Sequence, residues 1–383
     1  MRGPAVKPVV IAAGGTGGHL FPAEALAAEL VARGRRVALM TDARSGALDS
    51  PVFAGRERFV LPGAGIAGRG TARAGRAIVA LAAGTLQARA ILGRLDAAAV
   101  MAFGGYPSVA PVLGARLLRH RPPVLLHEQN AVLGRANRFL ARHAACLALS
   151  FPGTTRVPAG VTAAPIGNPV RPAIAALAGA GYVPPDAAGP LGVLVLGGSL
   201  GARVFADVVP AALAALAPGL RARLSVVQQC RAEDLARVRV AYDAVGIAAE
   251  LAPFFTDVAA RLAAAHLVIS RAGASSVAEF AVAGRPAILV PLPGAIDDHQ
   301  SANARALVSA GAAEAIAQPE FTPARLAASV GLWLADPERL ASAARATASV
   351  ACADAAARLA DLVESFMRYE NVGAPAGPVG ARA

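Results

Sequence analysis

Short β-branched runs alternate with longer Ala/Leu segments of helical spacing along almost the whole chain. In the first half, strands are expected at "PVVIAAG", "RVALMTD", "AAVMAF", "PVLLHE" and "CLALS", each followed by a loop rich in Gly, Pro or Asn. Between Pro22 and Arg33 the positions Leu26, Leu30 and Val31 share one helical face, with Pro22 suited to the first turn and Gly34 to the end. The texture turns to Pro and Gly at "PIGNPVRPAIAAL" and "GYVPPDAAGPLG". Then "GVLVLGGSLGARVFADVVPAAL" repeats the opening order of buried strand, glycine turn and helix from about Leu191. Strands "RLSVVQQ", "LVIS" and "AILVPLP" continue it, and the last helices are expected from about Thr322 to Tyr369.

This alternation predicts an α/β chain of two Rossmann-like domains with a linker around Gly167 to Arg171. The expected units are residues 1–167 and 168–349, a helix at about 350–369 that packs back on the first unit, and a disordered tail at 370–383. Ligands of open parallel sheets bind at strand C-terminal ends, so the glycine loops should line the cleft between the domains.

Composition narrows the class. A length of 383 residues exceeds one ordinary core, and 55% hydrophobic against 16% charged residues excludes a disordered chain. Thirty-seven basic residues outnumber 25 acidic ones, and Lys7 is the sole lysine, so the charge of +12 sits on arginine, whose planar fork suits phosphate. Codon bias accounts equally well for the missing lysines but leaves the excess charge, which favours anionic partners. Aromatics are 4% and do not cluster with arginine, which argues against nucleic acid. Cys146, Cys230 and Cys352 lack a CxxC spacing, so neither a disulfide framework nor a zinc site is expected, and a reducing cytoplasm fits. No signal peptide is expected. "AIVALAAGTLQARAIL" is broken by Arg89, so a soluble or peripheral protein is expected rather than a spanning one.

Candidate chemistry lies in the loops. "AAGGTGGHLFP" places Gly14, Gly15, Gly17 and Gly18 between strand and helix, where free N–H groups and a helix dipole hold anions. A dinucleotide fingerprint counted from Gly15 would need glycine at Leu20, so the match to a NAD enzyme with Asp42 as its ribose acid is imperfect. His19 at the loop mouth suits a base toward a sugar hydroxyl; the alternative is a helix-start histidine bonded to its own loop. "MAFGGYPS" offers Gly104, Gly105, Tyr106 and Ser108, either as a second anion loop or as a plain βα connection. His127, Glu128, Gln129 and Asn130 stand together at a strand end, suited to a polyhydroxylated ligand rather than a metal, or to capping the next helix.

In the second half Gly197, Gly198, Ser199 and Gly201 repeat the anion loop. "ISRAGASSVAEF" puts Arg271 near phosphate and Glu279 one turn along a short helix, able to accept two ribose hydroxyls or to be an ordinary surface glutamate. "DDHQSANA" adds Asp297, Asp298, His299, Gln300 and Asn303. Neighbours at a helix start diverge by about 100°, so Asp298 is expected as a cap and Gln300 as a sugar-binding amide, with no metal site.

Taken in order, "GGTGGH", "GGYPS", "HEQN", "GNPVR", "GGSLGAR", "RAGASSVAE" and "DDHQSANA" resemble the MurG family of bacterial glycosyltransferases. The resemblance runs from about Val9 to Asn303. It implies a GT-B fold and an inverting, metal-independent transfer of N-acetylglucosamine from its UDP donor to the muramyl sugar of lipid I, without a cofactor, at the cytoplasmic face of the cell membrane. It implies further that His19 is the base and that Thr16, Gly17, Gly18, Asn130, Arg171, Ser199 and Gln300 hold donor sugar or phosphate. Glu279 would hold the ribose, with Phe255 and Ala274 beside the uracil. The acceptor would meet Gly104, Gly105, Tyr106, His127 and Glu128. "VVQQCR" and His299 depart from the family's usual sequences and leave Gln228 and Gln229 without a role. Because that acceptor carries a lipid, Ile66, Ile78, Val79 and Leu81 with Arg69, Arg73, Arg76 and Arg89 are expected as an apolar patch with a basic rim for an anionic membrane surface, or else as an ordinary core helix. Rival readings are a UDP-sugar transferase with another acceptor, a NAD-dependent dehydrogenase and a non-catalytic peripheral binding protein.

Overall fold

The computed structural model describes residues 6–14, 17–43, 50–62, 71–198 and 201–369. The first lobe holds β1 (Val9–Ala12), α1 (Gly17–Ala32), β2 (Val37–Asp42), β3 (Arg58–Leu61), α2 (Thr71–Leu95), β4 (Ala99–Ala102), α3 (Val109–Arg116), β5 (Val124–Glu128), α4 (Arg135–Leu140), β6 (Cys146–Leu149) and β7 (Ala163–Pro165). A short α5 (Pro172–Ala175) follows the crossing. The second lobe holds β8 (Leu191–Leu196), α6 (Arg203–Ala214), α7 (Pro218–Arg221), β9 (Leu224–Gln229), α8 (Leu235–Asp243), β10 (Ala248–Ala252), α9 (Val258–Ala264), β11 (Leu267–Ser270), α10 (Ala274–Ala283) and β12 (Ala287–Leu289). It closes with α11 (His299–Ser309), β13 (Ala313–Ala315), α12 (Pro323–Leu334), α13 (Pro337–Ser349) and finally α14 (Ala355–Tyr369).

Both sheets are parallel throughout, in the orders β3-β2-β1-β4-β5-β6-β7 and β10-β9-β8-β11-β12-β13. The order reverses between β1 and β4 and again between β8 and β11, the switch points at which such sheets open a crevice. The central strands are buried on both faces, as Val9, Val10, Ile11 and Ala12 are, because helices cover each side.

Three local features differ from the sequence expectation. First, α1 begins at Gly17, so Pro22 lies inside it rather than in its first turn. A proline there supplies no N–H to the carbonyl four residues back, and the Gly18 oxygen instead accepts a hydrogen bond from the Ser275 hydroxyl of the other lobe at 3.4 Å. Second, Arg89 does not interrupt α2. Gly75–Leu95 is long and apolar enough by length and composition to cross a membrane, yet a third of it is buried against the lobe. Third, the edge strands β3, β7, β10 and β13 carry no sustained apolar run.

The last helix leaves the second lobe and seats Leu359, Ala360 and Val363 in the core beneath α1, with Leu26 and Leu30. Glu364 is buried there between Arg35 (2.6 Å) and Arg33 (3.2 Å). Burial opposes its charge, but the two guanidiniums hold its carboxyl below the usual range. The chain therefore crosses between lobes twice. At the first crossing Gly167 takes φ +94°, and a Cβ there would stand 2.5 Å from the Cβ of Cys352 at the second. Only glycine lets the two crossings touch. The tail expected to be disordered lies outside the described residues.

Candidate active site

The loops after β1 and β4 in the first lobe and after β8 and β11 in the second flank the two switch points. The lobes meet there. Asn303 on α11 accepts from the Ala131 amide (2.8 Å) and donates to the side-chain oxygen of Asn130 (3.2 Å) and to the Ala272 carbonyl (3.1 Å). Asp297 draws Arg138 and Arg156 across the same seam.

His19 sits half-buried in the first turn of α1. Its Nδ1 lies 3.0 Å from Gln129 Oε1, and its Nε2 faces the turn after β4. Gly105 there has φ +67°, and a Cβ on it would come within 3.3 Å of that Nε2, so the missing side chain is what keeps the imidazole edge open. Gly17 and Gly18 open the helix N-terminus beside it, the end of a helix at which backbone N–H groups point outward.

Facing this, α10 is preceded by Gly273, whose cap position makes no side-chain hydrogen bond to the first amides, the arrangement in which a helix start can take an anion. Glu279, one turn on, is buried. Its two oxygens accept from Arg171 Nε (3.0 Å) and Nη2 (3.1 Å). Burial pushes this carboxyl up, and Arg171 pulls against it. The Arg171 guanidinium also lies 5.1 Å from the centre of the Phe21 ring on α1, so one side chain ties both lobes at the cleft.

Several expected roles change. His127 is fully buried, its Nε2 at 3.0 Å from the Gly167 carbonyl and its Nδ1 at 3.1 Å from Gln129 Nε2, so no ring nitrogen is left for an acceptor. Glu128 is likewise buried and is saturated by the Asn130 amide and side chain, the Gly134 amide and Asn137 Nδ2. A carboxylate out of water needs such donors, and this one organises the turn between β5 and α4. Arg271 donates to the Val290 and Pro291 carbonyls and to Gln318. Arg171 and Glu279, expected at separate parts of a donor, are paired with each other. A carboxylate offers about four lone-pair positions, so Glu279 keeps acceptor capacity beyond Arg171.

Other side chains are placed as follows. The Tyr106 hydroxyl donates to Asp42, so the acid that a dinucleotide enzyme would need is buried against Tyr106. Ser108 donates to the Gly104 carbonyl and braces that turn. Asn130 donates to Glu128 and accepts from Asn303. Phe255 is buried, with the Arg261 guanidinium 4.0 Å over its ring. Ala274 opens α10, and Gln300 Oε1 accepts from the Leu292 amide. Asp298 stands at the cap of α11 but accepts from the Ser301 hydroxyl rather than from the backbone. His299 bonds the Ile296 carbonyl. Among the described residues no three His, Cys, Asp or Glu side chains gather as metal ligands. Thr16, Gly15, Ser199, Ile66 and Arg69 lie outside the described residues.

Gln129 and Gln229 were not singled out for what they do. Gln229 accepts from the Gly197 amide (3.0 Å) and donates to the Gly198 and Pro253 carbonyls (3.1 Å each), which holds the glycine loop after β8 in shape. Gln228 accepts from the buried Tyr242 hydroxyl at 2.5 Å. The signal of Gln228 and Gln229 in sequence is two consecutive polar residues closing a strand after Val226 and Val227.

Residues 9–149 match the glycosyltransferase family 28 N-terminal domain, and residues 192–359 match its C-terminal domain. The chain belongs to glycosyltransferase family 28. Within the family it is 64% identical, over 98% of its length and 97% of the relative's, to a Granulibacter bethesdensis protein named UDP-N-acetylglucosamine–N-acetylmuramyl-(pentapeptide) pyrophosphoryl-undecaprenol N-acetylglucosamine transferase. A protein of the same name from Acidiphilium cryptum is 57% identical over 95% of this chain and 98% of its own. The crystal structure of Acinetobacter baumannii MurG superposes with a TM-score of 0.75 at 32% identity, covering 94% of this chain and 99% of that one. The two-lobed GT-B α/β architecture is thus the family's.

Proposed function

We propose that the chain is an inverting hexosyltransferase that moves N-acetylglucosamine from UDP-N-acetylglucosamine to the muramyl sugar of lipid I, giving lipid II for peptidoglycan synthesis. The observation that carries this reading is the meeting of His19 Nε2 with the Gly105 turn on one side of the cleft and of Glu279 with the uncapped α10 on the other. The names of the full-length relatives supply the substrates.

In this reaction the acceptor's sugar hydroxyl loses its proton to His19 Nε2 while its oxygen bonds to the anomeric carbon. The bond from that carbon to the diphosphate breaks on the opposite face, and UDP leaves with the electron pair. Negative charge grows on the leaving diphosphate, where the α10 amides, the glycine loop after β8 and Arg171 meet it with fixed dipoles and one cation. Glu279 receives ribose hydroxyls on the lone pairs that Arg171 leaves. Asn130 and Gln300 border the donor sugar and phosphates, Phe255 and Ala274 the base, and Gly104, Gly105 and Tyr106 the acceptor diphosphate; the family resemblance adds Thr16 and Ser199 to the donor contacts. Addition of a chelator leaves the rate unchanged in this scheme.

The lipid-borne acceptor requires the enzyme to lie on the cytoplasmic surface of the membrane. What supports this is the outer face of α2, where Ile78, Val79 and Leu86 are 61%, 69% and 60% exposed beside the exposed Arg76 and Arg89. Radiolabelled UDP-N-acetylglucosamine incubated with a lipid I analogue and anionic vesicles tests both parts. Label should pass to the lipid fraction, and vesicle binding should weaken as salt rises. Label confined to free sugar would contradict the transfer, and salt-independent partitioning would contradict the basic rim.

A further inference from the structure

We propose that Gln129 is a positioning residue that sets the tautomer of His19, keeping Nδ1 protonated and Nε2 bare toward the Gly104–Gly105 turn. The use of that bare nitrogen rests on the transferase reading above; the assignment of the proton does not.

Two backbone carbonyls fix every proton in the chain, because a carbonyl can only accept. The Gly167 carbonyl stands 3.0 Å from His127 Nε2, so that nitrogen carries hydrogen. His127 is sealed in the lobe beside the Phe103 ring, and burial pulls it down to about 4, against the opposing pull of the Gly167 carbonyl and Glu128. It is therefore neutral near pH 7 with one ring proton, and its Nδ1 is an acceptor. Gln129 Nε2 lies 3.1 Å from that Nδ1 and 3.0 Å from the Phe103 carbonyl, which uses both amide hydrogens and fixes the amide's orientation. Its oxygen then faces His19 Nδ1 at 3.0 Å and can only accept. So His19 holds its proton on Nδ1, and its lone pair lies on Nε2, beside the space that Gly105 leaves.

The sequence builds this economically. His127 and Gln129 are two residues apart at the end of β5 and turn to one side, while Glu128 between them turns to the α4 side and binds Asn137. Neutral imidazole in water prefers its proton on Nε2, the tautomer that would leave no base at the turn. Gln129 reverses that preference without placing a second charge beside the site.

The test is histidine ¹⁵N labelling of the full chain with long-range ¹⁵N–¹H correlation, in the wild type, in His19→Gln to assign the signal, and in Gln129→Met, which keeps length but removes the amide's hydrogen bonds to His19, His127 and Phe103. Steady-state kcat and calorimetric UDP-N-acetylglucosamine binding are measured on the same samples. The expected result is an Nδ1–H tautomer of His19 in the wild type. In Gln129→Met it gives way to Nε2–H, with kcat lower by about 10- to 100-fold, less than the roughly 100- to 10,000-fold of a general base lost outright, and donor affinity within about twofold. An Nε2–H tautomer in the wild type overturns the proposal. So does a Gln129→Met protein with unchanged tautomer and kcat, or one whose donor affinity falls in step with kcat. If Gln129→Met does not fold, the wild-type spectrum decides alone. Absence of transfer by the wild type is a separate failure, of the transferase reading, and the spectrum still decides where the proton lies.

Discussion

The two lobes use one plan for different ends. Each runs strand, glycine-containing turn and helix at its switch point, and each sets a helix N-terminus there. In the first lobe the turn carries His19, wired through Gln129 and His127 to the carbonyl of Gly167. In the second it carries no base; it carries Glu279, buried and paired with Arg171. The difference teaches that the repeated fold places a glycine turn and a helix N-terminus at the cleft twice, and that the two cleft faces differ in the side chain standing at the turn's edge. On the proposed reading, proton acceptance falls to one lobe and most of the donor grip to the other.

The sharpest break in that comparison is His19→Ala. Loss of a general base should lower kcat by about 100-fold or more and leave UDP-N-acetylglucosamine affinity near the wild-type value, as read by steady-state assay and calorimetry. Glu279→Gln is expected to do the reverse. A lost charged hydrogen bond costs about 1.5–3 kcal/mol, so donor Kd should rise roughly 10- to 100-fold while kcat at saturation holds. Gly105→Ala sharpens the role of the turn. The methyl would crowd His19 Nε2 and strain a positive-φ residue, and a kcat drop of about tenfold is expected from a misplaced base.

The smallest effect on catalysis, but a visible one on stability, comes from His127. It is held neutral with a value near 4, below its ordinary 6.5, so the unfolded chain binds its proton first. Its contribution is present above about pH 6.5 and is lost as pH falls toward 4, on the order of 3 kcal/mol over that window. Urea midpoints between pH 7 and 4 should fall more steeply in the wild type than in His127→Asn; equal slopes would count against it.

The central strands were legible because parallel strands covered on both faces read as continuous apolar runs, as "VVIA" does for β1. Edge strands were not. β3 reads "RFVL", with only Leu61 buried, and β13 reads "AEA"; one-sided pairing leaves little pattern to see. Glycine spacing located the loops, and the position of His19 after Gly18 located the imidazole at their mouth. What spacing cannot say is which neighbouring polar residue turns inward. His127 and Glu128 look like cleft residues in sequence, yet both are consumed inside the lobe. The pairing of Arg171 with Glu279 spans 108 positions, beyond any local signal.

Single-turnover transfer from pre-bound, saturating UDP-N-acetylglucosamine in wild type, His19→Ala and Glu279→Gln separates the two halves of the cleft most directly. The account predicts a slow chemical step in His19→Ala and a near-normal one in Glu279→Gln once the donor is loaded. A normal step without His19, or a slow one without the Glu279 charge at full occupancy, would contradict the division between lobes.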